Sequence, residues 1–336
     1  AANKSVFITG CDTGLGYVAA VALHQKGFIV FAGCLDQHSE GALYLKSSGI
    51  IVLHVDYLRP DTIENAYRKI CDVLNGVDLW AIVANAGVSS YGEVEWMKPN
   101  ELQRLIDVNL VGTLKFVGTG IPQIRRSTGR IAIVTGLQGR LSIPGMAVAS
   151  ATTAALCQYA DGLRRELRKF GVQVSTIEPA FYRQSAMSDH DAVTHALAEV
   201  TRRLPVIVRE EYGGSYLENF KILFPKKLRK FSRSNVHEVS NAVLRALLNT
   251  EANPRYRCCS VRQMITWAAL ELLPLRVGDF FMVQQFTPRA GVAGSIHLRD
   301  IILEPVHDVS NELRSHLESV MPLYKTPPII RPGVTL

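Results

Sequence analysis

The sequence predicts an α/β protein built on a doubly wound parallel sheet. Three observations support this prediction. Short β-branched runs alternate with helix-length amphipathic segments, and the runs are apolar along nearly their whole length. Strands that are buried on both faces of a parallel sheet have this continuous apolar character. The third observation is a glycine-rich segment, residues 9–16, between the first run and the first helical segment.

Six runs are predicted to be strands, and the segments between them are long enough to be crossover helices. A β-α order repeated six times is typical of a doubly wound sheet, and its crossovers should be right-handed. The predicted strands are residues 5–10, 28–34, 50–56, 79–87, 130–136 and 172–179, and the helical segments include residues 14–27, 60–75, 99–120 and 149–170.

The pattern changes after about residue 180. Residues 181–233 are irregular in pattern and increasingly basic, whereas the apolar spacing that follows predicts a helix over residues 234–249. Ser234 or Asn235 is expected to cap this helix, with Glu238 completing a capping box.

Residues 256–261 are a candidate for one more strand, and the rest of the chain is too short to form an independent core. We therefore assign residues 1–255 to one Rossmann-like dinucleotide-binding domain. Residues 256–336 are interpreted as a C-terminal extension packed on the same domain.

The composition indicates a folded globular protein, since 47% of the residues are hydrophobic and 20% are charged. The net charge of +7 comes without a zinc finger or an RNA-binding signature, so no nucleic-acid partner is expected. No window has 18 uninterrupted apolar residues. We expect an intracellular location, either cytoplasmic or on the cytosolic face of an endomembrane. The six cysteines lack metal-ligand spacing and are interpreted as reduced thiols.

The glycine-rich segment reads TGCDTGLG and indicates a dinucleotide site. Gly10 permits a tight turn after the first strand. Gly14 and Gly16, on either side of Leu15, let the backbone approach a pyrophosphate and let the helix pack on the sheet. The phosphate charge would meet the free N–H groups at the helix N-terminus.

The spacing TGxxxGxG resembles that of the short-chain dehydrogenase/reductase family, and further matches follow in the order that this family shows. Asn85 and Gly87 belong to an NAG tripeptide at the end of the fourth strand, and Asp56 ends the third strand, where the family has an acid near the adenine. Asn109 falls within the long fourth crossover helix. The resemblance covers roughly residues 5 to 250.

One branch of the family is more similar than the others. The stretches GFIVFAGCL, GRIAIVTG, LRREL and VREEYGGSY resemble the group that contains 17β-hydroxysteroid dehydrogenase type 2, the retinol dehydrogenases and 3-hydroxybutyrate dehydrogenase. A weaker resemblance is to an insect member of the ecdysteroid pathway. The resemblance implies redox chemistry on a hydroxyl or carbonyl group of a lipophilic molecule. It also implies a homodimer that associates through the helices at 99–120 and 149–170.

The charge around the second strand favours NAD over NADP. A 2′-phosphate needs Arg or Lys near the glycine loop or just after the second strand. Residues 11–13 and 33–35 contain no cation, and both Asp12 and Asp36 would repel a phosphate. Asp36 is the candidate ribose ligand, although it lies a few residues later than expected and is equally well interpreted as a solvated loop acid.

The catalytic residues that the resemblance implies are mostly replaced. In the family, a Tyr-x-x-x-Lys motif supplies the proton donor and holds the nicotinamide ribose, and a serine binds the substrate oxygen. Alignment of ASATTAAL places Ala149 at the tyrosine position, Thr153 at the lysine position and Gly136 at the serine position; Asn109 alone is retained. None of the eleven tyrosines is followed by a lysine four residues later.

Two hypotheses follow. The chain is either a catalytically degenerate family member that binds a dinucleotide or a lipophilic ligand, or an active NAD(H)-dependent oxidoreductase with a different proton donor. Candidates for that donor are Tyr91, Ser142, Tyr182 and His190, and Arg183 stands where the family often has a threonine near the carboxamide. Neither a Ser/His/Asp order nor a metal-ligand spacing offers other chemistry.

Two C-terminal stretches predict peripheral contact with a membrane. Residues 225–233 hold five cations in nine positions, and residues 264–283 are strongly apolar with Trp and Phe. A basic surface helix with aromatic residues can lie on an anionic bilayer, although a solvated basic face beside ordinary core is the simpler interpretation.

Overall fold

A computed structural model describes residues 4–183, 185 and 189–288. All of these lie in the first of two compact units, Ala1–Val292. Most of the predicted C-terminal extension, from residue 289 onward, lies outside the described residues.

Seven parallel strands form one sheet in the order β3-β2-β1-β4-β5-β6-β7. The order reverses between β1 and β4, as it does in a doubly wound sheet, so the predicted fold class is confirmed. Each predicted run contains a strand, and the apolar side chains of the central strands β1, β4, β5 and β6 are buried along most of their length. The strands are β1 (Ser5–Thr9), β2 (Ile29–Cys34), β3 (Ile51–His54), β4 (Ala81–Ala84), β5 (Arg130–Val134), β6 (Gln173–Pro179) and β7 (Arg255–Cys258).

Twelve α-helices flank this sheet or pack beyond its C-terminal edge within the described residues. They are α1 (Gly14–Gln25), α2 (Glu40–Ser47), α3 (Pro60–Leu74), α4 (Pro99–Ile106), α5 (Thr113–Arg126), α6 (Ala147–Leu167), α7 (His190–Arg202), α8 (Val206–Tyr212), α9 (Gly214–Phe231), α10 (His237–Leu248), α11 (Val261–Leu272) and α12 (Leu275–Phe286).

The core has three parts. Helices α1 and α10 bury their apolar sides on one face of the sheet, and α3, α5 and α6 do so on the other. A third cluster lies beyond the sheet, where α7, α9 and α12 pack around Trp96 and Ile143. The first two clusters position the strand ends at which the candidate site forms.

The prediction that residues 181–233 are irregular was wrong. Helices α7, α8 and α9 occupy most of this segment. Helices α7 and α9 bury their apolar sides in the third cluster rather than on the sheet, whereas α8 leaves Val206 and Ile207 exposed. Pro225 lies inside α9, which weakens the helical signal in the sequence. Helix α2 was also missed, since only Ala42 and Leu45 of its eight residues are buried.

The predicted cap of the helix after residue 233 was also wrong. The helix, α10, has Val236 at its N-cap position without a side-chain cap, and the Asn235 side chain accepts a hydrogen bond only from the His237 N–H. Glu238 instead binds the guanidinium of Arg233 through both carboxylate oxygens. The ion pair replaces the expected capping box because it joins opposite charges through two hydrogen bonds at once.

All six cysteines are free thiols, and Cys71 is exposed while four of the others are buried. Burial raises the pKa of the Cys34 thiol to about 12. Within the described part of the chain, no helix is both long enough and apolar enough to cross a membrane.

Candidate functional site

A cavity of about 290 Å³ opens at the C-terminal ends of the central strands, where the strand order reverses. Ligands of open α/β sheets bind at this switch point. Of the residues predicted to hold a cofactor, most line this cavity, whereas Gly16 and Asp36 do not. Those that line it are Gly10, Gly14, Leu15, Asp56, Asn85 and Gly87.

The glycine loop between β1 and α1 is tightly packed under the end of β4. Gly10 has φ of +69°, in the left-handed region that favours glycine. A β-carbon at Gly16 would lie 2.2 Å from the carbonyl oxygen of Gly10. The Asn85 side chain fixes this turn, because its Nδ2 donates to the carbonyls of Thr9 at 3.0 Å and Gly10 at 3.3 Å. The loop therefore requires glycine at both positions.

The N-terminus of α1 faces the cavity through Gly14 and Leu15. Thr13 is the N-cap residue, but its side chain makes no capping hydrogen bond, and the first turn has no acidic residue. The first N–H groups of a helix lack partners within the helix, and the helix dipole favours an anion there. The loop and the helix end together fit a pyrophosphate.

Asp12 joins the glycine loop to the end of β2. Its carboxylate accepts hydrogen bonds from the backbone N–H groups of Leu35 at 3.0 Å and Asp36 at 2.8 Å. Leu35 lines the cavity, whereas the Asp36 carboxylate accepts from the His38 N–H at 2.8 Å. The sequence did not lead us to predict that Asp12 anchors the end of β2. Its position between the glycines of the loop was the feature that could have indicated this role. That Asp36 binds the ribose stays a prediction.

The Asp56 carboxylate accepts a hydrogen bond from the Leu58 N–H at 2.9 Å, just beyond the end of β3. The hydroxyl of its neighbour Tyr57 is 2.8 Å from the Thr9 hydroxyl, and burial raises the pKa of Tyr57. These contacts hold the segment after β3 against the end of β1, and both residues line the cavity. That Asp56 lies near an adenine stays a prediction.

Asn109 lies in a π-helical segment, Asp107–Gly112, that joins α4 to α5. Its Nδ2 donates to the carbonyl of Val88 and its Oδ1 accepts from the Val88 N–H, both at 2.8 Å. π-Helical turns inside α-helices are frequent at functional sites. The retained Asn109 thus fixes the segment after β4 and lines the cavity.

The first turns of α6 form the opposite wall of the cavity, through Ala149, Thr152 and Thr153. The Thr153 hydroxyl donates to the carbonyl oxygen of Ala149 at 2.8 Å, and the Thr152 hydroxyl donates to the same oxygen at 2.9 Å. Ala149 is buried and offers only a methyl group. The hydroxyl protons of Thr152 and Thr153 are therefore engaged within the helix.

Gly136 has φ of 170°, an extended conformation open to any residue. A β-carbon there would lie 2.4–2.8 Å from the side-chain amide group of Gln138. Gln138 lines the cavity, so its amide is the polar group beside the position at which the family has serine. Gln138 was not among the predicted site residues, although it lies only two residues beyond Gly136.

The candidate proton donors are held in other ways. Tyr182 lines the cavity, but its hydroxyl donates to Glu238 and to the carbonyl of Cys258, both at 3.0 Å; burial and the contact with Glu238 raise its pKa. Burial raises the pKa of Tyr91 to about 12. Ser142 is exposed. The structure thus does not bring these side chains together at the wall formed by α6.

A second cavity, of about 880 Å³, adjoins the first at Gln138, Ala180 and Phe181. It lies between the end of α9 and the helices α11 and α12, and aromatic and aliphatic side chains line much of it. Its volume falls in the range of small-molecule sites. Arg183 lines this second cavity. Among the described residues, no group of three or more His, Cys, Asp or Glu side chains could hold a metal ion.

The reversed strand order, the glycine loop and the open helix N-terminus define an α/β protein of the dinucleotide-binding class. The sequence comparison then specifies the family, since the model of the short chain dehydrogenase family matches residues 4–194. The chain belongs to this family, in the branch of the hydroxysteroid and hydroxybutyrate dehydrogenases.

Individual relatives agree with this assignment. The chain is 30% identical to 17-beta-hydroxysteroid dehydrogenase type 6 of Bos taurus, over 84% of this chain and 89% of the relative. It is 31% identical to the mitochondrial D-beta-hydroxybutyrate dehydrogenase of Rattus norvegicus, over 76% of this chain and 77% of the relative. A short chain dehydrogenase from Burkholderia cenocepacia, solved in complex with NADP, has the same fold, with a TM-score of 0.62, 20% identity and coverage of 85% and 99% of the two chains.

Proposed function

We propose that this chain binds NAD and a lipophilic ligand but lacks the ordinary hydride-transfer activity of its family. The observation that carries the proposal is the hydrogen bond from Thr153 to the carbonyl oxygen of Ala149. Together with the matching bond from Thr152, it leaves the cavity-lining residues of α6, where the nicotinamide ribose should bind, without a cation or a free hydroxyl proton. The adenine and pyrophosphate half of the cavity keeps the groups that a dinucleotide needs.

The fit of NAD rests on the loop and on charge. Gly10 and Gly16 keep the loop close-packed against Asn85 and Ala86, and the first turn of α1 presents N–H groups to an anion. Asp12 and Asp36 lie together at the end of β2, where a 2′-phosphate would meet negative charge. A bound nicotinamide dinucleotide would supply a hydride acceptor or donor. The residues of this chain would hold its pyrophosphate and adenine but offer no proton donor at Ala149.

The loss of activity follows from three replacements acting together. A positioned acid or base contributes roughly 10²–10⁴-fold to a rate. At Ala149 the donor is absent, at Thr153 the cation is absent, and at Gly136 the hydroxyl is absent. Since residues that act as a unit do not contribute additively, any one of these losses removes most of the catalytic contribution.

The test measures binding and turnover separately. Calorimetric titration with NAD should show weak binding, and assays with hydroxysteroids and retinols should show no hydride transfer. A turnover number above about 1 s⁻¹, the low end for ordinary enzymes, on any hydroxyl or carbonyl substrate would contradict the proposal.

One observation favours the alternative function, an active NAD(H)-dependent oxidoreductase. The Nδ1 of His190, the first residue of α7, is buried and makes no hydrogen bond to any residue that the structure describes. A histidine can serve as a general acid or base, although His190 is not among the described residues that line either cavity. If turnover is found, His190→Gln should abolish it, whereas Ser142→Ala, a change at an exposed position, should leave it intact.

A further inference from the structure

The second cavity combines an apolar lining with positive charge. Among the described residues, the lining of this cavity contains four cationic side chains and no acidic one. The apolar part includes Trp267, Leu270 and Phe286. An apolar cavity with charge of one sign at its edge is complementary to a ligand that has an apolar body and the opposite charge at one end.

Three of the four cations are available to a ligand. Arg233 is engaged with Glu238 in an ion pair. Arg183, Lys230 and Arg262 make no ion pair with any acidic residue in the described part of the chain. All three are exposed, so their charged groups stand where the cavity opens to solvent.

The three cations come from separate parts of the chain. Arg183 follows β6, Lys230 lies in the last turn of α9, and Arg262 lies in the first turn of α11. The fold brings them to one cavity without a compensating acid among the described residues of its lining. Like charges gathered in this way repel one another, and an anion bound among them would relieve that repulsion.

We infer that the second cavity binds a single-chain anionic amphiphile, with the apolar chain among α9, α11 and α12 and its carboxylate or sulfate beside Arg183, Lys230 and Arg262. The inference rests on the lipophilic ligand of the proposed function and specifies its charge. A long-chain carboxylate has both of the required parts.

The first experiment compares dodecanoate with dodecanol by calorimetry, below the concentrations at which either aggregates. The two share the same apolar chain and differ in the anion. We expect dodecanoate to bind at least tenfold more tightly at low salt. Raising the salt concentration should reduce that advantage, because the cations are exposed and screened by ions. Equal affinities would overturn the inference.

The second experiment removes the cations. The triple variant Arg183→Gln, Lys230→Gln and Arg262→Gln should lower the affinity for dodecanoate about tenfold and leave that for dodecanol unchanged. The matched control carries three glutamines elsewhere and loses the same net charge. If the control weakens dodecanoate binding as much, the effect is nonspecific and the inference fails. The control is Lys26→Gln, Lys69→Gln and Lys115→Gln, at exposed positions outside the lining.

The third experiment locates the chain of the ligand. Trp267 lines the cavity, whereas Trp96 is buried against the aromatic residues of α8 and α9. Dodecanoate should change the tryptophan emission of the wild-type protein but not that of Trp267→Phe. Ala269→Trp, which fills the cavity from α11, should abolish binding of both probes while leaving NAD binding intact.

The outcomes separate this inference from the proposed function. Binding of dodecanol without a preference for dodecanoate refutes the anionic ligand and leaves a neutral lipophilic ligand in place. Binding of neither probe, with unchanged tryptophan emission, refutes the inference, whereas the proposed function is decided by NAD binding and turnover. Membrane lipids carry the same chemistry, so vesicles containing phosphatidylglycerol form a further arm. Binding to vesicles but not to monomeric dodecanoate would also overturn the inference.

Discussion

Replacing Thr153 with lysine should increase the affinity for NAD by about ten- to a hundredfold. Thr153 lies in the cavity wall on α6 and is 8% exposed, and its hydroxyl is engaged with the carbonyl oxygen of Ala149. A lysine side chain at this position would extend past that carbonyl and present an ammonium group to the nicotinamide ribose. The change therefore adds a charged donor without removing a contact to the ligand.

The expected magnitude follows from the hydrogen bond gained. A hydrogen bond to a charged group contributes about 1.5–3 kcal/mol, and each 1.4 kcal/mol changes an affinity about tenfold. The partial burial of Thr153 opposes the charged form of lysine, which favours the lower end of this range.

Adding Ala149→Tyr and Gly136→Ser to this variant should raise hydride transfer, and Gln138 can move aside for the serine because only the end of its side chain is in the way.

The measurement is calorimetric titration of each variant with NAD at pH 7. Thr153→Met controls for the length of the new side chain without its charge. Thr153→Val controls for the lost hydroxyl and should bind NAD as the wild type does. The reasoning is refuted if Thr153→Lys stays within threefold of the wild-type affinity, or if Thr153→Met gains as much.

Three further predictions concern stability, assembly and membranes. Burial by itself raises the pKa of Asp161, but hydrogen bonds from two arginines lower it below its ordinary 3.8. The stabilisation should therefore be present above pH 3.8 and be lost as the pH falls through the folded-state pKa. Asp161→Asn should reduce the free energy of unfolding by about 1–3 kcal/mol at pH 7, and the difference from the wild type should vanish in acid. Denaturant titrations of both proteins at the two pH values measure this. We expect a homodimer formed through α4, α5 and α6, and sedimentation showing a monomer at micromolar concentration would contradict this. We also expect salt-sensitive flotation with anionic liposomes through α9, α11 and α12; it should weaken when Lys226, Lys227 and Lys230 become glutamate, and binding indifferent to both would count against it.

The apolar surface of the last two helices gives the membrane prediction its structural basis. Leu272 is 87% exposed and Leu275 is 80% exposed, at the turn between α11 and α12. These residues lie within the apolar stretch that the sequence analysis selected. Exposed apolar side chains beside a basic helix are typical of interfacial attachment.

The sequence by itself determined the sheet and the half of the site that depends on local geometry. Buried parallel strands must be apolar along their length. Each apolar run therefore predicted its strand, and most strand ends lie within two residues of the predicted position. The glycine loop could also be predicted from the sequence, because a left-handed turn at Gly10 and a close backbone contact at Gly16 leave no room for a side chain. The same local alignment located Ala149 and Thr153 on the first turns of α6.

The tertiary structure alone decided the contacts between residues that are distant in the chain. Asp12 anchors the backbone of Leu35 and Asp36, more than twenty residues away. Glu238 accepts a hydrogen bond from Tyr182, which precedes α7 in the chain, instead of capping its own helix. Helices α7 and α9 bury their apolar sides in the third cluster instead of on the sheet, a partner that the pattern of their own segment does not reveal. The second cavity exists only where α9, α11 and α12 meet the ends of β5 and β6. No local sequence pattern specifies such contacts. In the sequence alone, each partner is indistinguishable from an ordinary loop acid or an exposed cation.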